Sequence, residues 1–533
     1  MPHSTLLRCL TQIIAPLQVR TPAADSLLLA ERTSLPPDSA SGWSRRDALR
    51  GLAIGAAAAA SWSIPLPAAD APRIAVVGAG ISGMVAALTL RDAGVPCIVY
   101  ESSGRIGGRM HSNHSFWADD QVTEWCGEFV DTIHHLMRHL AHRFDLPLDD
   151  VIAAQPPHSR ETLYFLSGYY TIEELAADLK PLIPLLQAQF AAVGPTTTYN
   201  HFTRAGYHFD HMNAYEWIER YVPGGHTSRL GRLMDVSVVT ECGMDSSLLP
   251  ALNLICYFNS PAGADCRYHI RGGNQQLPLA ISQSLPSGTV KLGWRLESIE
   301  ARADGKVALG FSTPGGSQEL VFDAVILTLP FSVLRGLDYS KAGFDALKIT
   351  AITQLGYGTN SKISLQFDDR YWNQLGPWGI GNGITATDLP IQSTWDSSLA
   401  EPGLNGLITN YTGGTPGAAF RPDRPYSTSL GSPKVAQYAS QFLSQLENLW
   451  PGVSAHYTGR ATLSYPTGDP NLLGSYSAYQ AGQTTLFAGY EGVPQGTIHF
   501  GGEHCSVNFQ GFMEGGAEEG RRAASEVLHA LHA

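Results

Sequence analysis

Short apolar runs separated by a glycine turn stand out near residue 75 of the hydrophobic pattern. Residues 73–77, Arg-Ile-Ala-Val-Val, have the apolar character of a buried strand, and a turn with three glycines follows them. The next stretch, Ile81 to Ala93, has the pattern of a helix. A second apolar run begins at Cys97 and ends on Glu101. This order predicts a strand, a glycine turn, a helix and a returning strand.

The turn places Gly78, Gly80 and Gly83 in a GxGxxG spacing, with Ile81 and Ser82 before the third glycine. The first glycine suits a tight turn, the second lets backbone approach a pyrophosphate, and the third lets the helix pack on the strand. Phosphates are favoured at the start of the helix, where unpaired N–H groups meet an anion. The turn therefore indicates a dinucleotide site.

Glu101 lies 18 residues beyond Gly83, at the end of the second strand. There its carboxylate can accept hydrogen bonds from both hydroxyls of a ribose. A glycine spacing alone is a weak signal. Between a strand and a helix, with an acid at the end of the next strand, it predicts a dinucleotide-binding domain.

A twin-arginine pattern, Ser44-Arg45-Arg46-Asp47-Ala48-Leu49, precedes the first strand, and a weakly apolar run over residues 51–64 follows it. The run is shorter than the roughly 20 apolar residues of a membrane-spanning helix, and prolines follow it. We therefore expect residues 1–71 to be a leader and a signal peptide cleaved after Ala71. The mature protein is then periplasmic or secreted, with no stable membrane insertion.

The composition mainly excludes certain partners and certain kinds of site. With 533 residues, 44% of them hydrophobic, the chain can form two domains with substantial cores. The net charge of -12 argues against nucleic acid or an anionic membrane surface as partner, because both need a basic face. Seven cysteines without a CxxC pair predict neither a zinc site nor a disulfide framework, so buried free thiols are expected.

A second glycine-rich segment follows Ser102. Its sequence, Gly104-Arg105-Ile106-Gly107-Gly108-Arg109, resembles the flavin-containing amine oxidase family, which includes monoamine, polyamine and L-amino-acid oxidases. In that family the segment runs beside the pyrophosphate and the flavin, and its arginines offset phosphate charge. The resemblance, which extends from about residue 72 to 530 in motif islands, implies FAD as the cofactor. The residues expected to hold FAD at this end are Gly78, Gly80, Ile81, Ser82, Gly83, Glu101, Ser102, Gly104, Arg105, Gly107, Gly108 and Arg109.

Further islands occur in the family's order. Residues 268–277 look like its GG-containing loop and helix, and residues 325–330 match the apolar strand that closes the FAD domain. Residues 290–296 resemble the strand whose backbone meets the adenine, which implies a contact at Leu296.

The carboxy-terminal island, residues 499–517, reads as a strand, a loop and a long final helix. The resemblance places Gly502 and Glu503 at the cofactor, with the Glu503 carboxylate bonding the ribityl chain. The helix that begins near Met513 is expected to direct its N-terminus at the flavin pyrimidine. A positive helix end there stabilises negative charge on the ring.

Lys362 resembles the lysine of the family that holds a water against flavin N5. Its expected task is to position water for imine hydrolysis or to assist reoxidation, and no metal is expected to take part. A solvated strand lysine is the alternative, since alternation with Ile363 and Leu365 does not settle which face is buried.

Tyr476 and Phe512 align with two aromatic residues that confine a neutral amine against the flavin. Core packing is the alternative for both rings. Ser475 stands where animal monoamine oxidases link the flavin through a cysteine. FAD is therefore expected to be non-covalent, unless Cys505 forms the link.

Residues 125–131 occupy the segment that lines the substrate cavity in the family. Amino-acid oxidases carry an arginine there as a carboxylate clamp, and in this alignment Val130 stands in its place. Glu128 and Asp131 are candidates to pair with a second ammonium of a diamine or polyamine. Solvated loop charges are the alternative.

The resemblance implies a two-domain α/β fold. A doubly wound FAD-binding domain is expected from residues 72–150, 256–344 and 456–533, and a substrate domain with a mixed sheet and helices from residues 151–255 and 345–455.

The implied reaction is oxidation of an amine to an imine, which hydrolyses to an aldehyde or ketone plus ammonia or an amine. Electrons pass to oxygen, giving H2O2, or to a periplasmic carrier. The alternatives are an L-amino-acid oxidase, a desaturase-type flavoenzyme and a non-enzymatic FAD protein.

Overall fold

The computed structural model describes residues 72–259 and 263–532, so the predicted leader and signal peptide lie outside the described residues. The strands, numbered along the chain, are β1 (Ile74–Val77), β2 (Ile98–Glu101), β3 (Ser112–Asn113), β4 (Thr123–Glu124), β5 (Leu148–Asp150), β6 (Arg160–Phe165), β7 (Gly168–Tyr169), β8 (Tyr268–Ile270), β9 (Val290–Leu292), β10 (Arg295–Ala301), β11 (Val307–Thr313), β12 (Gly316–Phe322), β13 (Ala324–Leu327), β14 (Asp338–Lys341), β15 (Ser361–Phe367), β16 (Gly381–Thr387), β17 (Ser393–Asp396), β18 (Gly406–Thr412), β19 (Tyr426–Thr428), β20 (Tyr457–Ser464) and β21 (Ile498–Phe500).

The α-helices are α1 (Ile81–Asp92), α2 (His135–Arg143), α3 (Ile172–Leu179), α4 (Ile183–Val193), α5 (Arg204–His211), α6 (Ala214–Tyr221), α7 (Arg229–Cys242), α8 (Ala251–Tyr257), α9 (Gln276–Ser284), α10 (Phe331–Leu334), α11 (Ala346–Gln354), α12 (Gly414–Ala418), α13 (Pro433–Leu449), α14 (Gln483–Phe487) and α15 (Met513–His532). Within the described ranges, none of them has the length and apolar character of a membrane span.

A five-stranded parallel sheet forms around the first predicted strand, in the order β21-β13-β1-β2-β9. All four residues of β1 are buried, as expected for a parallel strand that is covered on both faces. The strands come from the three separated segments that the sequence assigned to FAD binding. The strand, turn, helix and returning strand predicted at the amino-terminal end are present.

Helices α1 and α15, from opposite ends of the chain, pack against each other on this sheet. The approach is close, because a Cβ on Gly520 would lie 2.0 Å from the backbone oxygen of Ser82. Glycine at this contact therefore lets the final helix lie directly against the nucleotide-turn helix. The amino-terminal and carboxy-terminal motifs meet in one place.

The second large layer is an eight-stranded mixed sheet in the order β19-β20-β15-β18-β17-β16-β6-β7. Only β16 and β6 pair in parallel within it. It supplies the mixed sheet expected of the substrate domain. One predicted boundary needs correction: β20 belongs to this sheet although it follows residue 456, where the last FAD-binding segment was expected to begin.

A smaller sheet, β12-β11-β10-β14, packs its apolar side on the five-stranded sheet. Its core includes Leu296, which contacts the same cluster as Tyr100 and Val325. Five cysteines, Cys97, Cys126, Cys242, Cys256 and Cys505, are free thiols. Of these five, only Cys242 and Cys505 are buried, so the expectation of buried thiols holds for two of them.

Candidate active site

A continuous cavity is lined by residues from both large sheets. Its wall begins at the glycine turn after β1 and continues past the 104–109 segment to β15 and the start of α15. The predicted site residues that line it are Gly78, Gly80, Ile81, Ser82, Glu101, Ser102, Arg105, Gly107, Gly108, Arg109, Glu128, Asp131, Lys362, Tyr476, Gly502, Glu503, Phe512 and Met513.

Three predicted residues lie outside the cavity wall. A Cβ on Gly83 would lie 1.9 Å from the oxygen of Gly78, which is the helix-on-strand packing expected of this glycine. A Cβ on Gly104 would meet no atom within 4 Å, so the structure does not bring this residue to the cavity. The Leu296 side chain is buried in the core, and its backbone contact with the adenine stays a prediction.

The two glycine segments lie backbone to backbone at one end of the cavity. A Cβ on Gly108 would lie 3.1 Å from the Cα of Gly80, and the Gly107 N–H donates to Ala79 O at 2.9 Å. Beside them, Ser82 Oγ and Arg105 Nη1 are buried without a hydrogen-bond partner among the described residues. Because unpaired donors and a cation at the start of α1 suit an anion, these residues fit the diphosphate of a dinucleotide such as FAD.

Glu101 joins this end of the cavity to the turn itself. Its Oε2 accepts from Ala79 N at 2.8 Å, and its Oε1 accepts from Ser103 N at 2.8 Å. The carboxylate therefore fixes the backbone of the nucleotide turn. Its Oε1 also accepts from Ser102 Oγ at 3.4 Å, whereas Oε2 keeps a second acceptor position, so the ribose contact stays a prediction.

Glu503 connects three segments of the cavity wall. Its carboxylate accepts from Arg109 Nη1 at 2.7 Å, from Ser477 Oγ at 2.7 Å and from Gly511 N at 2.7 Å. Burial alone would raise the pKa of Glu503, but these donors and the charge of Arg109 outweigh it and lower the pKa. The group is an ionised anchor between the 104–109 segment and the start of α15, and its bond to the ribityl chain stays a prediction.

Lys362, the second residue of β15, is buried and points its ammonium at the 124–128 segment. Its Nζ donates to Glu128 Oε2 at 2.8 Å and to the backbone oxygens of Cys126 at 2.5 Å and Glu124 at 3.3 Å. This burial contradicts the alternative of a solvated strand lysine. All three protons of the ammonium have partners inside the protein, and the role of holding a water stays a prediction.

Glu128 is buried as well and has three different donors. Besides Lys362, Trp395 Nε1 donates to its Oε1 at 2.7 Å and Ser397 Oγ donates to the same atom at 2.8 Å. The alternative of a solvated loop charge is therefore wrong for Glu128. The carboxylate predicted to meet a second substrate ammonium instead meets the ammonium of Lys362.

Asp131 also lines the cavity and is buried. Its Oδ1 accepts from Cys266 N at 2.8 Å, and His134 Nε2 lies 3.7 Å from its Oδ2. Burial raises the pKa of Asp131 to about 7. It is not a solvated loop charge, and its contact with substrate stays a prediction.

Aromatic side chains form the walls of the cavity near Lys362. The hydroxyl of Tyr476 lies 2.9 Å from that of Tyr411 and donates to the backbone oxygen of Glu241 at 2.7 Å. Tyr411 packs against Trp395 with 5.4 Å between ring centroids. Phe512 also lines the cavity, and its ring packs on His134 with 4.9 Å between centroids. Confinement of an amine between Tyr476 and Phe512 stays a prediction.

We call the part of the cavity around Lys362, Tyr411, Tyr476 and Trp395 the chamber. Trp395 and Tyr411 line it, but nothing in the local sequence predicts either as a site residue. Both come from the stretch that the sequence assigned to the substrate domain without detail, on β17 and β18. Alternation along β17 and β18 does not show which face meets a ligand. β18 pairs with β15 and β17 pairs with β18, and this strand order brings both rings to Lys362.

Ser475 lines the cavity and donates its Oγ to Asn360 Oδ1 at 2.7 Å. Cys505, the alternative attachment point, is buried in the core near Phe500 instead. Neither residue offers a thiol to the cavity, and the non-covalent attachment of the cofactor stays a prediction.

The sequence profile of the family described as flavin containing amine oxidoreductase matches residues 81–528. The chain belongs to this family. One relative, a putative L-amino-acid oxidase of Bacillus subtilis, YobN, is 26% identical over 483 residues, which cover 87% of this chain and 96% of that protein. A probable polyamine oxidase 4 of Arabidopsis thaliana is 23% identical, with coverage of 83% and 84%.

Among solved structures, cyclohexylamine oxidase from Brevibacterium oxydans IH-35A matches with a TM-score of 0.73 at 18% identity, covering 87% of this chain and 100% of that one. Putrescine oxidase bound to putrescine matches with a TM-score of 0.71 at 17% identity, covering 86% and 99%. At these identities the likeness shows the fold. Family and fold together confirm the predicted flavin amine oxidase architecture and make the protein a flavin-containing oxidoreductase.

Proposed function

We propose that the protein catalyses FAD-dependent oxidation of an amine C–N bond to an imine, which hydrolyses to an aldehyde or ketone plus ammonia or an amine. H2O2 forms when oxygen is the electron acceptor. One observation carries this proposal. A single cavity joins the two glycine segments, residues 78–83 and 104–109, which we call the cradle, to a buried lysine enclosed by aromatic rings. FAD bound in the cradle supplies the two-electron acceptor for the reaction.

The residues that would hold FAD are distributed along the cradle. Ser82 and Arg105 offer unpaired donors for phosphate, Glu101 offers acceptor positions for ribose, and the N-terminus of α15 at Met513 offers a positive helix end. Because serine at position 475 cannot form a thioether and Cys505 lies in the core, we propose that FAD is bound without a covalent link at either position.

The chain's own residues bind and orient the amine. Tyr476, Tyr411 and Trp395 present ring surfaces that exclude water and restrict how the substrate body lies. A neutral amine enters a cavity with such walls more easily than a charged one, because burial disfavours the charge. Lys362 adds a fixed donor group at the same place, and releasing its 3.3 Å bond to Glu124 O would free a proton for a water that hydrolyses the imine.

A panel of amines tests the proposal. The holoprotein is mixed with putrescine, spermidine, 2-phenylethylamine, a nicotine-like cyclic amine and several L-amino acids, and H2O2, ammonia and carbonyl product are measured. Turnover of at least one amine with a matching yield of carbonyl product is expected. Flavin that no amine reduces would favour the non-enzymatic FAD protein, and reduction by a non-amine alone would favour the desaturase type.

L-amino-acid oxidation is the second candidate, because several relatives carry that name. The cavity argues against it, since its cationic lining side chains among the described residues are Arg105, Arg109 and Lys362, and two of these already pair with carboxylates. Rapid turnover of amino acids alone would reverse the order of the two candidates.

We also propose that the protein is exported to the periplasm or beyond by the twin-arginine route. The proposal is supported by the Arg45-Arg46 pair, the apolar run after it and the small residues near Ala71. Replacing Arg45 and Arg46 with Lys should keep the protein in the cytoplasmic fraction. An unchanged distribution between fractions would contradict export by this route.

A further inference from the structure

The pair formed by Lys362 and Glu128 is a buried ion pair in the chamber, and the proposed reaction gives Glu128 no part of its own. The two side chains are 8% and 7% exposed, and 2.8 Å separates Nζ from Oε2. Burying two charges is costly, and it is offset only when the geometry is good and the remaining donors and acceptors are satisfied. Both conditions are met here.

The donors around this pair point away from the space left for a substrate. The indole N–H of Trp395 and the hydroxyl of Ser397 both donate to Glu128. Next to Trp395, Tyr476 uses its proton on Glu241 O, so Tyr411 is the donor in the contact between the two hydroxyls. The chamber walls therefore present ring faces and a neutralised ion pair.

We infer that Glu128 is a specificity-determining residue: by holding the Lys362 ammonium it removes the cation that a substrate carboxylate would need. The inference rests on the proposed amine oxidation. Lys362 also lies 5.3 Å from the centre of the Trp395 ring, so the ammonium is fixed between carboxylate and indole. With the pair intact, the chamber takes an amine with an uncharged, apolar body and rejects the same amine bearing a carboxylate.

The inference predicts opposite results for the two halves of the pair. Without the Glu128 charge, Lys362 becomes an unpaired cation that attracts a carboxylate. Without the Lys362 charge, Glu128 becomes an unpaired anion that attracts a second ammonium. Each gain is worth about tenfold or more in affinity, the size of a charge-assisted hydrogen bond in a site shielded from water.

The first experiment compares 2-phenylethylamine with L-phenylalanine, which differ by one carboxylate, on the holoenzyme. In Glu128→Gln the ratio of kcat/KM for the amine to that for the amino acid should fall at least about tenfold from the wild-type value. Binding of 3-phenylpropionate, measured by calorimetry without turnover, should tighten by a similar factor. Glu128→Asp keeps the charge and should remain within about threefold of wild type in both measurements.

The double variant Glu128→Gln/Lys362→Met shows whether the gain depends on the lysine. It should lose the tightened 3-phenylpropionate binding. Unchanged binding in Glu128→Gln, or a gain that survives in the double variant, would overturn the inference.

The reverse experiment uses Lys362→Met with 1,4-diaminobutane and butylamine as ligands in the same calorimetric measurement. Preference for the diamine should rise about tenfold over wild type. If Glu128→Gln does not fold, this arm decides, and an unchanged preference would overturn the inference. Wild-type enzyme that no amine reduces contradicts the proposed function instead, so the two failures are distinguishable.

Discussion

The nucleotide loops around β1 and the aromatic chamber beside β15 line one cavity but use their polar groups in opposite ways. At the loops, Ser82 Oγ and Arg105 Nη1 are buried without partners among the described residues, so they can donate to a ligand. At the chamber, the polar atoms of Lys362, Glu128 and Trp395 already pair with one another. The first region is built to bind charge, and the second is built to present none.

This difference fits the proposed function, in which one cavity holds a strongly anionic cofactor beside an amine that reacts in its neutral form. Unpaired donors at the loops attract phosphate. In the chamber the polar groups are already paired, so contact with the apolar rings selects the substrate. Glu503 lies where the two regions meet and binds Arg109 on one side and Ser477 on the other. Substitutions in each region and at Glu503 test this difference.

The largest effect is expected at the nucleotide turn. Gly83→Val would place a Cβ 1.9 Å from Gly78 O, which prevents α1 from packing on β1. We expect little or no soluble, FAD-containing protein, measured by yield and by circular dichroism. Gly104→Ala is the control, because its Cβ would meet no atom within 4 Å. A Gly83→Val protein with wild-type yield and melting temperature would contradict this account of the turn.

The junction should come next. Glu503→Gln leaves the Arg109 charge without its carboxylate, and breaking such a buried pair costs about 3 kcal/mol. Urea denaturation measures the loss. Asp92→Asn is the control, because it removes surface pairs with Arg91 and Arg143 that are each worth about 0.5 kcal/mol. Equal losses in the two variants would show that Glu503 does not anchor the cavity.

His504 provides a smaller, pH-dependent effect on the cofactor side. Neither ring nitrogen has a partner among the described residues, and burial lowers the pKa of His504 to about 3. The unfolded chain binds a proton below about pH 6.5, so the stabilisation present above that pH is lost as the pH falls. His504→Leu should reduce the stability difference between pH 8 and pH 5 by about 2 kcal/mol.

Urea denaturation of wild type and His504→Leu at both pH values measures this difference, and the other titrating groups cancel in the comparison. Identical pH dependence in the two proteins would mean that the ring takes up a proton in the folded state.

The smallest effect is expected in the chamber. Tyr411→Phe keeps the ring but removes the hydroxyl that donates to Tyr476, a loss of about 1 kcal/mol. The KM for 2-phenylethylamine should change by less than about threefold, because the ring faces remain. A large fall in turnover would show that this hydroxyl acts on the substrate and would end the description of the chamber as an apolar wall.

The sequence predicted the nucleotide side more completely than the chamber, for a physical reason. Backbone geometry within one turn requires Gly78, Gly80 and Gly83, so their spacing alone predicts what each glycine does. The structure has the helix-on-strand packing predicted for Gly83. Gly104, in the next segment, lies outside the cavity. Glycine alone does not distinguish a close approach from an open loop.

The chamber depends on contacts between distant parts of the chain. Lys362 and Glu128 are 234 positions apart, and nothing in either local sequence predicts that they pair. Each was predicted as a site residue, but with a different partner: a water for Lys362 and a substrate ammonium for Glu128. Trp395 was missed, because only strand order in the eight-stranded sheet brings it to Lys362.

The most direct test of the account is the absorption spectrum of the purified protein, recorded before and after anaerobic addition of 2-phenylethylamine. An oxidised flavin band at about 450 nm is expected, which this amine bleaches, while L-phenylalanine at the same concentration bleaches it far more slowly. A colourless protein that takes up no FAD, or a flavin band that no amine changes, would contradict it.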